Sequence, residues 1–176
     1  MSQSRPFDIT AHLPALLRYA RALTRDSADA DDLVQETLMR AYENRARFRP
    51  DGELKSWLFS ILHNTFVSGL RRRRSYADRM DRVAELGETE AAPEQETHLR
   101  LAQIRAAFLT LPNEQREALH LVAIEGMAYG EAADVIGIPV GTLMSRLGRA
   151  RAALRDIENG SNVVPLRRIR DRNGEK

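Results

Sequence analysis

The chain has 176 residues and a mass of 19.9 kDa, enough for one large domain or two small ones. Hydrophobic residues make up 43%, charged residues 30% and aromatics only 6%. That composition fits a globular chain of long helices and speaks against all-β or doubly wound folds. Without cysteine the chain can form no disulfide, thiolate zinc site or cysteine nucleophile, and His12, His63, His98 and His120 lack ligand spacing, so neither metal nor cofactor is expected.

No apolar run approaches the roughly 18 residues of a membrane span. The opening Met1-Ser-Gln-Ser-Arg-Pro leads into no apolar signal core, which points to a cytoplasmic protein. The formal net charge of +2 conceals segregation, and all basic residues but Lys55 and Lys176 are arginine. From Asp26 to Glu36 there are five carboxylates and no base. Residues 71–74 are four arginines in a row. From Asp78 to Glu96 seven acids face two bases, and from Val140 onward nine bases face four acids. Alternating blocks imply two kinds of surface, and arginine suits bidentate recognition of phosphate and guanine.

In chain order, Leu13, Leu16, Leu17, Ala20 and Leu23 recur at helical spacing, with Pro14 tolerable in a first turn. Ser27 or Asp29 can cap a second helix carrying Leu33, Val34, Leu38 and Ala41 on one face, with Asp31, Asp32 and Glu36 near its positive end. Arg47 to Glu53, containing Pro50 and Gly52, reads as a loop. A long helix follows, turning Leu54, Trp57, Leu58, Ile61, Leu62, Phe66 and Leu70 inward and ending in the arginine run. Trp57 belongs to that apolar stripe and reads as core.

Residues 75–95, acidic and containing Ala-Ala-Pro at 91–93, read as a linker, which argues for two domains. Beyond it lie apolar runs at Leu99–Leu109 and Ala118–Ile124, separated by a break at Leu111-Pro112-Asn113 and closed by Glu125-Gly126. Then Ala128–Arg155 shows a short helix (Gly130–Ile136), a turn at Gly137-Ile138-Pro139 and a basic helix from Val140. Small Ala132 and Ala133 allow close contact, while Val135, Ile138, Leu143 and Leu147 fill the angle between the helices. This is the pattern of a DNA-binding helix-turn-helix. Ser145, Arg146 and Arg149 are expected on the face opposite Leu143 and Leu147.

With these motifs assembled, DADDLVQETLMRAYENRARFRP (29–50) and LKSWLFSILHNTFVSGLRRRR (54–74) resemble domain two of bacterial sigma factors of the extracytoplasmic-function group. IPVGTLMSRLGRARAAL (138–154) resembles the end of their domain four. The resemblance covers about residues 8–157 and implies an all-α chain of two small helical domains joined by a flexible linker. The implied division is domain two at 8–74, linker at 75–97, domain four at 98–157 and a basic tail at 158–176.

The resemblance also implies roles. Asp32, Leu33, Gln35 and Glu36 match the segment that docks on the clamp helices of the polymerase largest subunit, as an acidic face with one exposed leucine. Phe48, Arg49 and Asp51, within the loop 48–53, match the device that captures a flipped base of the −10 strand, with Asn64 behind it. Arg71, Arg72, Arg73 and Arg74 match the basic helix end beside duplex phosphates. Thr142, Ser145, Arg146, Arg149 and Arg151 fall on the helix that contacts the −35 element. Met144 and Gly148 depart from the family, so promoter preference does not carry over.

Implied partners are core RNA polymerase, through its clamp helices and flap, promoter DNA and an anti-sigma factor. The implied function is promoter recognition and transcription initiation in a stress or envelope response, with no catalysis by the chain itself. The alternative is a sigma-like decoy that titrates an anti-sigma factor without binding DNA. The arginines at 71–74 and 146–151 argue against it.

Overall fold

The computed structural model describes residues 7–49, 52–77 and 96–158, and side chains from Phe7 to Asp156 outside 50–51 and 74–101. The fold is all-α, and no strand occurs among the described residues. Three helices form the N-terminal half: α1 (Leu13–Thr24), α2 (Ser27–Glu43) and α3 (Leu54–Ala77). Pro14 sits in the first turn of α1, where its missing N–H costs nothing. The cap of α2 is Asp26 rather than Ser27 or Asp29: its backbone is extended, and its carboxylate accepts from the Asp29 N–H at 2.9 Å. Helix α3 runs three residues beyond the arginines, because Ser75-Tyr76-Ala77 contains no breaker.

The C-terminal half holds α4 (Glu96–Thr110), α5 (Asn113–Leu119), α6 (Tyr129–Ile136) and α7 (Val140–Glu158). Helix α5 widens into a π-helical segment over His120–Ile124, closed by Glu125 N–H donating to His120 O at 3.0 Å. Between α6 and α7, Gly137 adopts φ +76°, a left-handed conformation that costs glycine little and makes the sharp turn. The stripe Leu143, Leu147 and Ala150 of α7 is fully buried. Burying a leucine side chain contributes about 2 kcal/mol, so this stripe sets how α7 seats.

The two halves are docked, and their cores are continuous. Tyr19 of α1 stacks on Phe59 of α3, with ring centroids 5.1 Å apart, and its ring also meets that of His120 at 5.3 Å. Buried Arg116 of α5 donates to Ala22 O and Leu23 O at the C-terminal end of α1, and to Leu111 O at 2.6 Å. The Ala22 and Leu23 carbonyls belong to the last turn of α1, which has no intrahelical donors for them and carries partial negative charge. In return Arg25, held at φ +64° where α1 ends, donates to Leu111 O at 3.1 Å. A non-glycine residue in that region costs about 1 kcal/mol, so the contacts at the junction must hold it.

Candidate functional site

Three surfaces carry the residues singled out in the sequence. On α2, Asp32 and Gln35 are exposed, and Glu36 is partly covered by Arg40 at 2.6 Å and Arg72 at 3.6 Å. Leu33 is not the exposed leucine of the expected docking face. It is buried, because it lies beside Val34 on the stripe that meets the core. The exposed apolar side chains of α2 are instead Met39 and Tyr42, at 65% and 62% exposure. They fall seven residues beyond Asp32 and Gln35, two turns along the same face. The seven-residue spacing that aligns them is legible in the sequence itself.

The second surface lies where α2 leads into α3. Phe48 packs on Trp57 with centroids 5.3 Å apart, and Phe7 completes a three-ring cluster at 5.8 and 5.9 Å. Arg47, Phe48, Arg49, Gly52, Glu53 and Trp57 line a shallow open depression. Trp57 therefore belongs to the packed stripe and also forms a wall of this depression. Asn64 is exposed two turns beyond Trp57, while Asp51 lies outside the described residues. Arg71 is exposed; Arg72 and Arg73 reach back to Glu36 and Asp29 of α2 at 3.6 and 3.3 Å. Those pairs are two-thirds or more exposed on the arginine side, and such contacts contribute little. The Arg74 side chain lies outside the described residues.

The third surface is α7. Thr142, Ser145, Arg149 and Arg151 are exposed, and Arg149 donates to Ser145 Oγ at 3.3 Å. Arg146 does not share that face, contrary to the expectation. Its side chain is 14% exposed and pairs with Glu117 at 2.9 Å and Glu114 at 3.4 Å. The reason is helical geometry: Arg146 lies three residues after buried Leu143 and four before buried Ala150, on their side of α7.

Residues 9–76 match the sigma-70 region 2 family and residues 101–154 the sigma-70 region 4 family. The chain is 44% identical over 148 residues to the ECF RNA polymerase sigma factor EcfG of Rhodopseudomonas palustris, covering 84% of this chain and 81% of that one. Among solved structures it is similar to the sigma factor RpoE of Bartonella quintana, crystallised with the anti-sigma factor NepR. There the TM-score is 0.76 at 36% identity over 86% of this chain and 94% of the other. It is also similar to CnrH, solved with the cytosolic domain of CnrY, with a TM-score of 0.62 at 31% identity over 86% and 85% of the two chains. The chain belongs to the extracytoplasmic-function group of the sigma-70 family.

In this sigma factor the junction between regions 2 and 4 is built on two buried carboxylates that the sequence reading passed over. Glu125, delivered inward by the π segment, accepts from Arg18 at 3.0 Å and sits 3.1 Å from Lys55, whose ammonium also donates to Glu125 O at 2.7 Å. Burial pushes its carboxyl upward, but Lys55 and Arg18 outweigh burial and hold it below the usual range. Glu117 has the opposite balance: burial raises its pKa to about 7 against the pull of Arg146. Facing it across the junction is His63 of α3, with Nδ1 3.4 Å from its carboxylate. Burial depresses both His63 and His120 to about 4, with Arg146 adding to the effect on His63, so both imidazoles are neutral at pH 7.

Buried Arg116 stays cationic at neutral pH, although burial and neighbouring Arg25 lower it to about 10. Ser56 of α3 also donates to Glu131 of α6. Of these junction residues, Arg18, Arg116, Glu117, His120 and Glu125 lie outside the motifs read in the sequence. The signal available was charge on apolar stripes: Arg116, Glu117 and His120 interrupt the run that holds Leu111, Ala118, Leu119 and Leu121.

Proposed function

We propose that this sigma factor binds core RNA polymerase through the exposed face of α2, where Asp32 and Gln35 stand beside Met39 and Tyr42. An acidic stripe with two apolar side chains in register suits a basic helical partner such as the clamp helices, and the C-terminal half meets the flap. The depression at Phe48 and Arg49, with Asn64 beyond it, receives an unstacked base of the −10 strand. Arg71–Arg74 follow the duplex phosphates, and Thr142, Ser145, Arg149 and Arg151 of α7 enter the major groove of the −35 element. Arg146 supports α7 from behind. The division of labour runs over region 2 at 8–74, a linker at 75–97, region 4 at 98–157 and a basic tail. The protein catalyses no step itself and works in the cytoplasm.

The observation that carries this reading is the pairing of two unlike surfaces on one chain. An acidic-apolar stripe on α2 repels phosphate, while a basic helix stands exposed after a glycine turn. The relatives solved with NepR and CnrY support an anti-sigma factor as a further partner. Reconstitution with core polymerase followed by genome-wide mapping of transcription starts tests the reading. A shared bipartite upstream sequence is expected, and starts without one would refute it.

A further inference from the structure

Helix α7 has an unusual outer surface around Met144. Its thioether side chain is 53% exposed, directly beside Ser145. Gly141 and Gly148, three residues before and four after, are its neighbours on the helix surface. Gly148 lies in the helix interior, where glycine costs about 0.5–1 kcal/mol relative to alanine, and Gly141 lies in the first turn. Neither glycine is demanded by internal packing, since a Cβ at either position would meet nothing within 4 Å. The helix forgoes stability at Gly148 and leaves a bare strip from which a single apolar side chain projects. Arg151, two turns further on the same flank, is exposed, and Arg149 with Ser145 occupies the other flank. Arg146 is withdrawn to Glu117, so no cation overhangs the strip from that position.

We propose that Met144 is a base-reading residue, its thioether packing on the C5 methyl group of a thymine in the major groove of the −35 element. That methyl is the one apolar feature on a base-pair edge in the major groove, and apolar side chains are its usual readers. The bare backbone at Gly141 and Gly148 lets the groove floor approach α7 closely enough for the contact. Arg149 and Arg151 anchor the helix on either side of it. The proposal rests on α7 being the −35 reader.

The test uses holoenzyme reconstituted from the full chain and core polymerase, on a promoter duplex selected from a randomised −35 library. Each thymine of the element is replaced singly by deoxyuridine, which removes the methyl and keeps the base pair. Wild-type holoenzyme should lose about fourfold in affinity at one position, the worth of one buried methyl-sized group. Met144→Ala should bind the thymine and deoxyuridine duplexes equally, and Met144→Leu should keep the discrimination. Equal methyl dependence in wild type and Met144→Ala, or none in wild type, would overturn the role of Met144 while leaving the −35 reading intact. So would a Met144→Ala defect that appears in core binding without DNA, which would make Met144 a protein contact. If scrambling the whole upstream element changes nothing, the failure is instead that of the −35 reading.

Discussion

The carboxylates of α2 and those of the region around α5 have opposite fates in this sigma factor. Asp32 of α2 stands in solvent, within a block of five acids that contains no base. Glu117 and Glu125 are buried between the halves, each matched to cations: Arg146 for the first, Arg18 and Lys55 for the second. The same chemical group stands free in solvent in one place and is an internal brace in the other. What separates them is the phase of the helix, which decides whether the carboxylate faces water or a second packed element. The same contrast divides Arg146 from Arg149, three residues apart on α7.

The largest effect expected from breaking the buried side of this comparison is at Arg116. Arg116→Ala would strip the side-chain donor from the Ala22 and Leu23 carbonyls, leave Leu111 O with Arg25 alone and open a cavity. The cost should be about 3–5 kcal/mol in urea unfolding. A loss below about 1 kcal/mol would mean that the halves do not depend on this contact. Next comes Glu117→Ala, which leaves Arg146 with only the exposed Glu114. About 2 kcal/mol of stability should go, and Arg146→Ala should cost a similar amount because the two act as one unit.

On the exposed side the expected signature reverses. Arg149→Ala should leave unfolding unchanged yet weaken discrimination at one −35 base pair by about 1–3 kcal/mol, measured on a randomised −35 library. Uniform loss across all sequences would make Arg149 a phosphate contact. Asp32→Arg is cleaner than a change at Glu36, which is tied to Arg40 and Arg72. It should lower affinity for core polymerase about tenfold, or 1.4 kcal/mol, and shift stability by less than about 0.5 kcal/mol. Unchanged core binding would exclude α2 as the docking face.

The smallest effect at neutral pH comes from protonation at the junction. His63 and His120 have folded pKa values of about 4 against 6.5. Between those values the unfolded chain binds more protons, and stability should rise with pH. Glu117, raised to about 7 from 4.5, works the other way and removes stability as pH climbs from 4.5 to 7. The two histidines outnumber the one carboxylate, so the net trend below about 6.5 is upward, with a slight fall above it. His120→Gln should flatten the rise, and a pH profile of melting temperature identical to wild type would refute this assignment.

Much of the fold was legible because its signals are local. Apolar spacing located the three helices of the N-terminal half, Gly137-Ile138-Pro139 marked the turn before α7, and the charge blocks separated two kinds of surface. The misplaced residues are those whose setting depends on a partner element. The family resemblance implies an exposed Leu33, but the register of α2 turns it, with Val34, into the core, as its apolar spacing indicates. Arg146 is expected with Ser145 and Arg149 on the face opposite Leu143, yet its three-residue spacing from Leu143 places it on the inward side.

The sequence alone determined the all-α class, the helix-turn-helix and the segregation of charge, since each follows from residue order within a single helix or turn, and the family followed from the resemblance of its motifs in order along the chain. Only the tertiary structure decided which charges remain available to partners. Arg116, Glu117 and Glu125 look like ordinary surface charges along the chain, and they become buried because α1 and α3 pack against α5, the π segment and α6. A buried charge requires a partner, and that partner comes from a distant part of the chain. Arg18 lies 107 residues from Glu125, and Lys55 lies 70 away. No local pattern encodes such a meeting.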